Sequence, residues 1–567
     1  MAEYTLDVIT GNMMFAGTFD NLFVTLIGTE RESERTQLTS FGLDDKTGKL
    51  EKDPFHESPE KDWFCSKIVV RTPEGDDILF PCHTWLSRGE SVLLRGGRAT
   101  KAFEDFYPQL VDQRKKELVK QKLMYKWEMY AEGMSYNLNI KDLRAIPAEI
   151  RFSFSKASQF KYLKEMALAE LKLRGLTESE HWKSFKAMKE VSWFKKSPFT
   201  KHWKDDDFFG YQFLNGINPY VIKRCTKLPS NFPVTEEMVK PFLANGSSLT
   251  AEMKLTQQPS KETLIFLPSD LESDWLLAKI FVRHADSLYA QVITHLQKTH
   301  LLAESFAMAT LRNLPMIHPL YKCFPALSSQ LLIPHHRYTL HINIIARAVL
   351  YGPGSILGNS SVGEEGQMEL MRRGLSQSTY ASLCPHEDIA VRGLESIPNF
   401  YYRDDALRLW NIINSFVRAV VAYYYPSDSE VSADSELQEW INEIFYYGFL
   451  GNGDSGWIPN APVFLHHGPP TTKGQSSTRA ILVTLPNKAL AAAALSVTWQ
   501  LSRKYEDFVP LGTYPEQRFD EPAVLQMIKD FQAELSSLSV AITERNSELE
   551  LPYNYLNPEV IENSVAI

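Results

Sequence analysis

At 567 residues the chain is too long for one small core and suits two unequal domains, and its 44% hydrophobic and 23% charged residues are the balance of a globular protein. A formal net charge of −9 supplies no basic footprint for nucleic acid, which sets DNA and RNA aside as partners. The five cysteines (Cys65, Cys82, Cys225, Cys323, Cys384) are scattered and lack CxxC spacing, which excludes a disulfide framework or zinc ribbon and fits a reducing cytosol.

The start, "MAEYTLDVIT", has no basic segment followed by an apolar one, so no signal peptide is expected. Residues 1–95 read as strands. "EYTLDVIT" and "NLFVTLIG" are β-rich, and "KIVVRTPEGDDILF" is two apolar runs around a Pro/Gly/Asp turn, which together predict a small antiparallel β unit. The texture changes at "FEDFYPQLVDQRKKELVKQKLMYKWEMY", where apolar residues recur at helical spacing. Arg114, Lys115 and Lys116 could form a phosphate patch, but Glu117 and further mixed charges follow, and a solvated helix face is the reading taken. "DWLLAKIFVRHADSLYAQVITHLQKTHLLAESFAMATL" is apolar on several faces and far longer than three turns, which predicts a core helix. "ELQEWINEIFYYGF" and "FDEPAVLQMIKDFQAELSSLSVAITERNSELE" predict two more helices, the second opening at Pro522. "ALAAAALSVTWQL" is too short to span a bilayer, so no transmembrane helix is expected.

Within the long core helix lies "THLQKTH", with His295 and His300 five positions apart. On a regular α-helix such residues point roughly 140° apart and cannot share a small ion. A π-bulge, which adds a residue to a turn, would bring both to one side. The alternative is two unrelated imidazoles, one facing solvent and one hydrogen-bonded in the core. As ligands, neutral imidazoles suit zinc, iron, copper or nickel, and two of them need a further donor from elsewhere. One candidate is the α-carboxylate of Ile567, anionic at neutral pH, if the apolar ending "NSVAI" is buried rather than frayed.

Five segments in order, "FLPSDLESDWLLAKIFVRHAD", "THLQKTHLLAESFAMATLRNLPMIHPLYK", "HHRYTLHINIIARAVL", "YYRDDALRLW" and "LPYNYLNPEVIENSVAI", resemble the animal lipoxygenases. "FFGYQFLNGINP" adds another match, and "WFCSKI" and "LFPCHTWL" resemble the lipoxygenase β-sandwich called PLAT. The resemblance implies a multidomain α+β fold, with a shortened PLAT-like sandwich over residues 1–95 and a mainly α-helical catalytic domain over 96–567. It implies one non-heme iron per chain, with His295, His300 and Ile567 on the ligand positions and Leu350 on the position that presses against the substrate's pentadiene. His318, His335, His336 and His341 are then structural or support the ligands. The implied reaction removes a hydrogen atom from the methylene between two cis double bonds of a polyunsaturated fatty acid, after which O₂ adds and a hydroperoxide forms. The alternatives are a hydroperoxide isomerase and a catalytically inactive variant that binds lipid or a partner. The β domain is expected to touch membrane surfaces reversibly, with Ca²⁺ as a second cofactor, in an otherwise cytoplasmic protein; Met13, Met14, Phe15 and Trp85 are either its membrane-facing loop tips or packed between the sheets or against the helical domain.

The departures from the family pattern are as specific as the matches. A third histidine and an asparagine lie in the family within H-A-A-V-N-x-G-Q, between the "GFLG" and "WIPNAP" landmarks. Here "GFLGNGDSGWIPNAP" joins those landmarks almost directly and the motif is absent from the chain. "EKDPFHESPEKDWF" replaces several strands of the β unit, a strand-bearing segment is missing at "SSLTAEMKLTQQPS", and "CFPALSSQ" (Cys323 to Gln330) is an insertion. His466 and His467, in "VFLHHGPP", are the nearest substitutes for the missing histidine, although beside prolines they read as a surface loop.

Overall fold

The computed structural model describes residues 4–11, 17, 22–28, 31–38, 63–86, 91–129, 131–141, 145–147, 150, 152, 154–176, 181–191, 201–225, 264–327, 340–344, 363–450, 477–485, 488–501, 503–505, 508–514 and 518–563. Near the N-terminus, β1 (Thr5–Thr10) pairs antiparallel with β4 (Trp63–Arg71), which pairs with β5 (Asp77–Leu86), while β2 (Phe23–Val24) and β3 (Thr36–Gln37) form a second small sheet. The β4–β5 hairpin is the one the Pro/Gly/Asp turn predicts. It brings Arg71 opposite Asp77, and Gly75 takes φ +94 in the turn, a conformation that carries no steric penalty without a Cβ. Trp63, Cys65 and Cys82 are buried under it with Val8, Ile68 and Leu86 around them, and all five cysteines are free thiols.

The first long helix, Pro108–Met124, stops before the end of its predicted run. "WEM" (Trp127–Met129) instead forms β6, paired antiparallel with β7 (Tyr136–Leu138) in a hairpin. Tertiary contacts outweigh the local helical pattern here. The Trp127 ring stacks on Tyr447 at 4.7 Å, and its indole N–H donates to Glu443 Oε2. The hairpin is tied to three other elements. Ser135 Oγ donates to the Gly448 carbonyl, Leu138 N to Glu304 Oε1, and Arg372 Nε to the Glu132 carbonyl.

Arg114 corrects the solvated-face reading of its helix. Lys115 and Lys116 are exposed, but Arg114 is only 5% exposed and lies between Glu436 (2.6 and 2.7 Å) and Asp105 (2.9 Å), with Arg95 closing on Asp105 from the other side. Desolvating a guanidinium this fully is tolerable only because two carboxylates surround it.

The main core is helical. The predicted core helix runs as Glu272–Tyr289, Ala290–Leu301 and Leu302–Asn313 without interruption, and the middle segment is a π-helix. The helices Tyr401–Tyr424 and Pro522–Ser547, the latter with Pro at its first turn as expected, pack with Phe416 stacked on Phe531 at 4.5 Å. Beyond Ser547 the tail is held by named bonds. Arg545 pairs with Asp405, Asn546 donates to the Tyr553 carbonyl, Leu511 N donates to Ile561 O, and Asn563 N donates to Val509 O at 2.7 Å. Among the described residues no helix is long and apolar enough to cross a membrane.

Candidate metal centre

The π-helical segment Ala290–Leu301 answers the spacing problem that "THLQKTH" poses. Widening each turn by a residue turns positions five apart toward one side, and the Nε2 atoms of His295 and His300 stand 3.1 Å apart with their rings nearly perpendicular at 77°. The widened turn is stabilised from within by the Thr299 hydroxyl, which donates to the Thr294 carbonyl five residues back.

Each flank of the segment is fixed by a buried asparagine. On one side Thr294 Oγ1 donates to Asn218 Oδ1 (3.0 Å), and Asn218 Nδ2 donates to Asp286 Oδ1 (2.8 Å), whose other oxygen takes Arg283. On the other side His300 Nδ1 meets Asn343 Oδ1 at 2.9 Å, and Asn343 Nδ2 donates to both the His300 carbonyl and Glu304 Oε2. A third wall is the helix Gly363–Ser376, which approaches so closely that a Cβ on Gly374 would lie 2.2 Å from Gln297 Oε1. Gln297 Nε2 donates to the Met371 carbonyl in the same contact. Lys298, on the same segment, is shifted below the usual lysine range by burial.

The pair fits a metal edge. Two nitrogens about 2.1 Å from one ion stand about 3.0 Å apart at a right angle and about 3.4 Å apart at a tetrahedral one. The observed 3.1 Å is close to an octahedral edge, and without an ion it is the ordinary distance of one imidazole N–H donating to the other.

Of the residues singled out in the sequence, His295 and His300 are therefore brought together. Ile567, Leu350, His335, His336, His466, His467, Met13, Met14 and Phe15 lie outside the described residues, as does the side chain of Trp85 on β5. His341 accepts a hydrogen bond from Phe152 N at 2.6 Å and stacks on the Phe152 ring, a supporting contact rather than a ligand geometry. His318 is likewise structural. Its Nδ1 accepts from Leu320 N, its Nε2 lies 3.1 Å from Asp434 Oδ2, and Tyr425 OH donates to the same carboxylate oxygen. His318 and Tyr425 together hold the Asp434 carboxyl down at about 2. Asn218, Glu304 and Asn343 were not singled out. The sequence signal for Asn343 is a lone amide inside the apolar run "HINIIA", since a buried amide needs partners.

Residues 4–95 match the PLAT/LH2 domain model and 242–463 the lipoxygenase model. The human polyunsaturated fatty acid lipoxygenase ALOX15B is 35% identical to this chain, with 100% of both covered. The chain belongs to the lipoxygenase family. The mouse hydroperoxide isomerase ALOXE3 is 34% identical, again with both chains fully covered. Among solved structures, a coral 8R-lipoxygenase whose description names calcium activation through a C2-like domain superposes with a TM-score of 0.87 at 28% identity, covering 100% of each chain. The multidomain architecture of a lipoxygenase, a β-sandwich followed by a helical domain, is therefore the architecture of this chain.

Proposed function

We propose that His295, His300 and the terminal carboxylate of Ile567 hold one non-heme iron, with which this lipoxygenase dioxygenates polyunsaturated fatty acids to hydroperoxides. The observation that carries this reading is the 3.1 Å separation of the two Nε2 atoms on a π-helical segment. The lipoxygenase family is iron-dependent, and ALOX15B carries the substrate class in its name. With the histidine and asparagine of H-A-A-V-N-x-G-Q absent, the proposed set is two nitrogens and one carboxylate, a facial-triad donor set with open positions.

When bound, the iron supplies the one-electron redox chemistry. The chain's own residues do the rest. His295 and His300 present their nitrogens from a helix fixed on both flanks. Ile293, Leu296 and Leu301, all buried, pack the segment's own apolar side chains with Met134 and Met371. Leu350 bears on the pentadiene of the substrate. Residues 1–95 form the sandwich that docks reversibly on a membrane surface and takes Ca²⁺, a reading supported by the calcium-activated coral relative, and residues 96–567 form the catalytic domain.

The test is iron content per purified chain together with conjugated-diene formation from arachidonic and linoleic acids under air. Stoichiometric iron with diene formation, both lost in His300→Ala, is the expected result. A folded sample with neither iron nor product would overturn the assignment.

A further inference from the structure

A neutral imidazole has two ring nitrogens and one proton, so the group bonded to one nitrogen decides what the other can do. Around His300 that decision is made three residues deep. Glu304, four residues on along the same helix, uses both carboxylate oxygens as acceptors, Oε1 from Leu138 N at 2.9 Å and Oε2 from Asn343 Nδ2 at 2.9 Å. The same Asn343 NH₂ also donates to the His300 carbonyl at 2.9 Å. An amide whose NH₂ is committed to two acceptors presents its oxygen on the opposite side, and Asn343 Oδ1 lies 2.9 Å from His300 Nδ1. The ring proton therefore sits on Nδ1, and the Nε2 lone pair points at the place shared with His295. Glu304, Asn343 and His300 are 0%, 1% and 5% exposed, so water does not compete for these bonds. The hydrogen between the two rings then belongs to His295, the more exposed partner.

We propose that Glu304 and Asn343 form a tautomer lock that holds His300 Nε2 as the ligating nitrogen before any ion arrives. The proposal rests on the reading of His300 as an iron ligand, but its core claim concerns the apo protein. Asn343 and Glu304 are positioning residues, since neither faces the metal position itself. The β6–β7 hairpin is part of the device, because the Leu138 N–H holds one oxygen of Glu304 and leaves the other for Asn343.

The lock is tested by exchanging donors and acceptors without changing volume. In Glu304→Gln the new amide cannot accept at both places. If it keeps Leu138 N–H, its NH₂ faces the Asn343 NH₂, the Asn343 amide turns over, and His300 is driven to the tautomer with its proton on Nε2. In the double variant Glu304→Gln/Asn343→Asp the contacts that set the tautomer are complementary again, because the new carboxylate accepts from both the position-304 amide and His300 Nδ1–H, while the His300 carbonyl loses the donor that Asn343 gave it. Two readouts are taken on apo protein with a cooperative melt: ¹⁵N shifts of the histidine ring, and affinity for Co²⁺ and Fe²⁺ by competition with a chelator. The expected result is a reversal of the His300 nitrogen shifts and a roughly 10–100-fold loss of metal affinity in Glu304→Gln, with the ring shifts restored toward wild type in the double variant. Unchanged ring shifts in Glu304→Gln would overturn the lock, as would shifts that the double variant does not recover. A wild-type chain that binds no metal yet shows the Nδ1–H tautomer would refute the ligand assignment and leave the lock standing.

Discussion

Two buried clusters in this molecule gather the side chains that bind metals, and they differ in what is left over. His318, Asp434 and Glu436 form the only group of three such residues within ligand reach among the described residues, yet its donors and acceptors are matched internally. His318 uses both ring nitrogens, Asp434 Oδ1 caps the helix Ser435–Glu443 by accepting from Glu436 N and Leu437 N, and both oxygens of Glu436 take Arg114. At the His295–His300 pair the surrounding bonds satisfy Nδ1 of His300 and turn its Nε2 toward a second imidazole. Clustering of metal-binding residue types is thus a poor guide to a metal site. Asking where the protein's own bonds aim each lone pair separates a structural joint from a candidate centre.

The comparison breaks most visibly at Arg114. Arg114→Ala leaves Glu436 buried without its cation, and a destabilisation of about 3–5 kcal/mol is expected, read by denaturant unfolding. The protein that does fold should retain wild-type metal affinity. A loss of affinity with unchanged stability would mean the two clusters had been assigned the wrong way round.

A smaller effect is expected at the wall of the proposed metal centre. In Gly374→Ala the new Cβ meets Gln297 Oε1 at 2.2 Å and Ile293 Cδ1 at 2.7 Å, so either these side-chain ends are displaced, with loss of the Gln297 bond to the Met371 carbonyl, or the helix Gly363–Ser376 moves off the π-helical segment. Overpacking of this kind costs about 1–3 kcal/mol, and here it should weaken metal binding as well as stability. Calorimetric melting beside the chelator titration distinguishes this from Arg114→Ala, where only stability falls.

The effect confined to one pH range is a dependence on Glu117, beside the structural joint. Burial pushes the Glu117 carboxyl up to about 7, although Met316 N donates to it at 2.7 Å. Its folded value lies above its unfolded one, so the folded chain holds a proton that the unfolded chain releases. Its contribution to stability therefore falls as pH rises from the ordinary glutamate range through about 7, and is constant above that. Glu117→Gln removes this slope. Its melting temperature should match wild type at about pH 5 and exceed it at about pH 8, while equal melting curves at both would place the titration elsewhere.

How much of this was legible in the sequence depended on how far apart the cooperating residues lie. The β4–β5 hairpin and the long core helix were readable because their signals, a turn between apolar runs and an unbroken apolar helix, are local. The π-helix was reachable by chemistry alone, since two histidines five apart have no use for one another on an α-helix. Trp127–Met129 reads as helix and folds as strand because its partners, Glu443 and Tyr447, are more than three hundred positions away. Arg114 reads as a surface cation for the same reason, the carboxylate that takes two of its nitrogens, Glu436, being 322 residues distant. The amides and the acid around His300 carry no motif of their own, and only their proximity in space assigns them a role.

The β6–β7 hairpin also has a consequence in time. Its contacts with Glu304, Glu132's partner Arg372, Glu443 and Gly448 span 166, 240, 316 and 313 residues respectively. At about 5–20 residues per second of synthesis, Trp127 waits roughly 15–60 s before Glu443 has even been made. For that interval the donors that will later hold Glu304 and the 435–448 segment have nothing to hold, and an apolar indole is open to other chains. His300 is thus steadied, through Glu304 and Asn343, by a segment among the early parts of the chain to be made and, by its contacts, among the last to be secured.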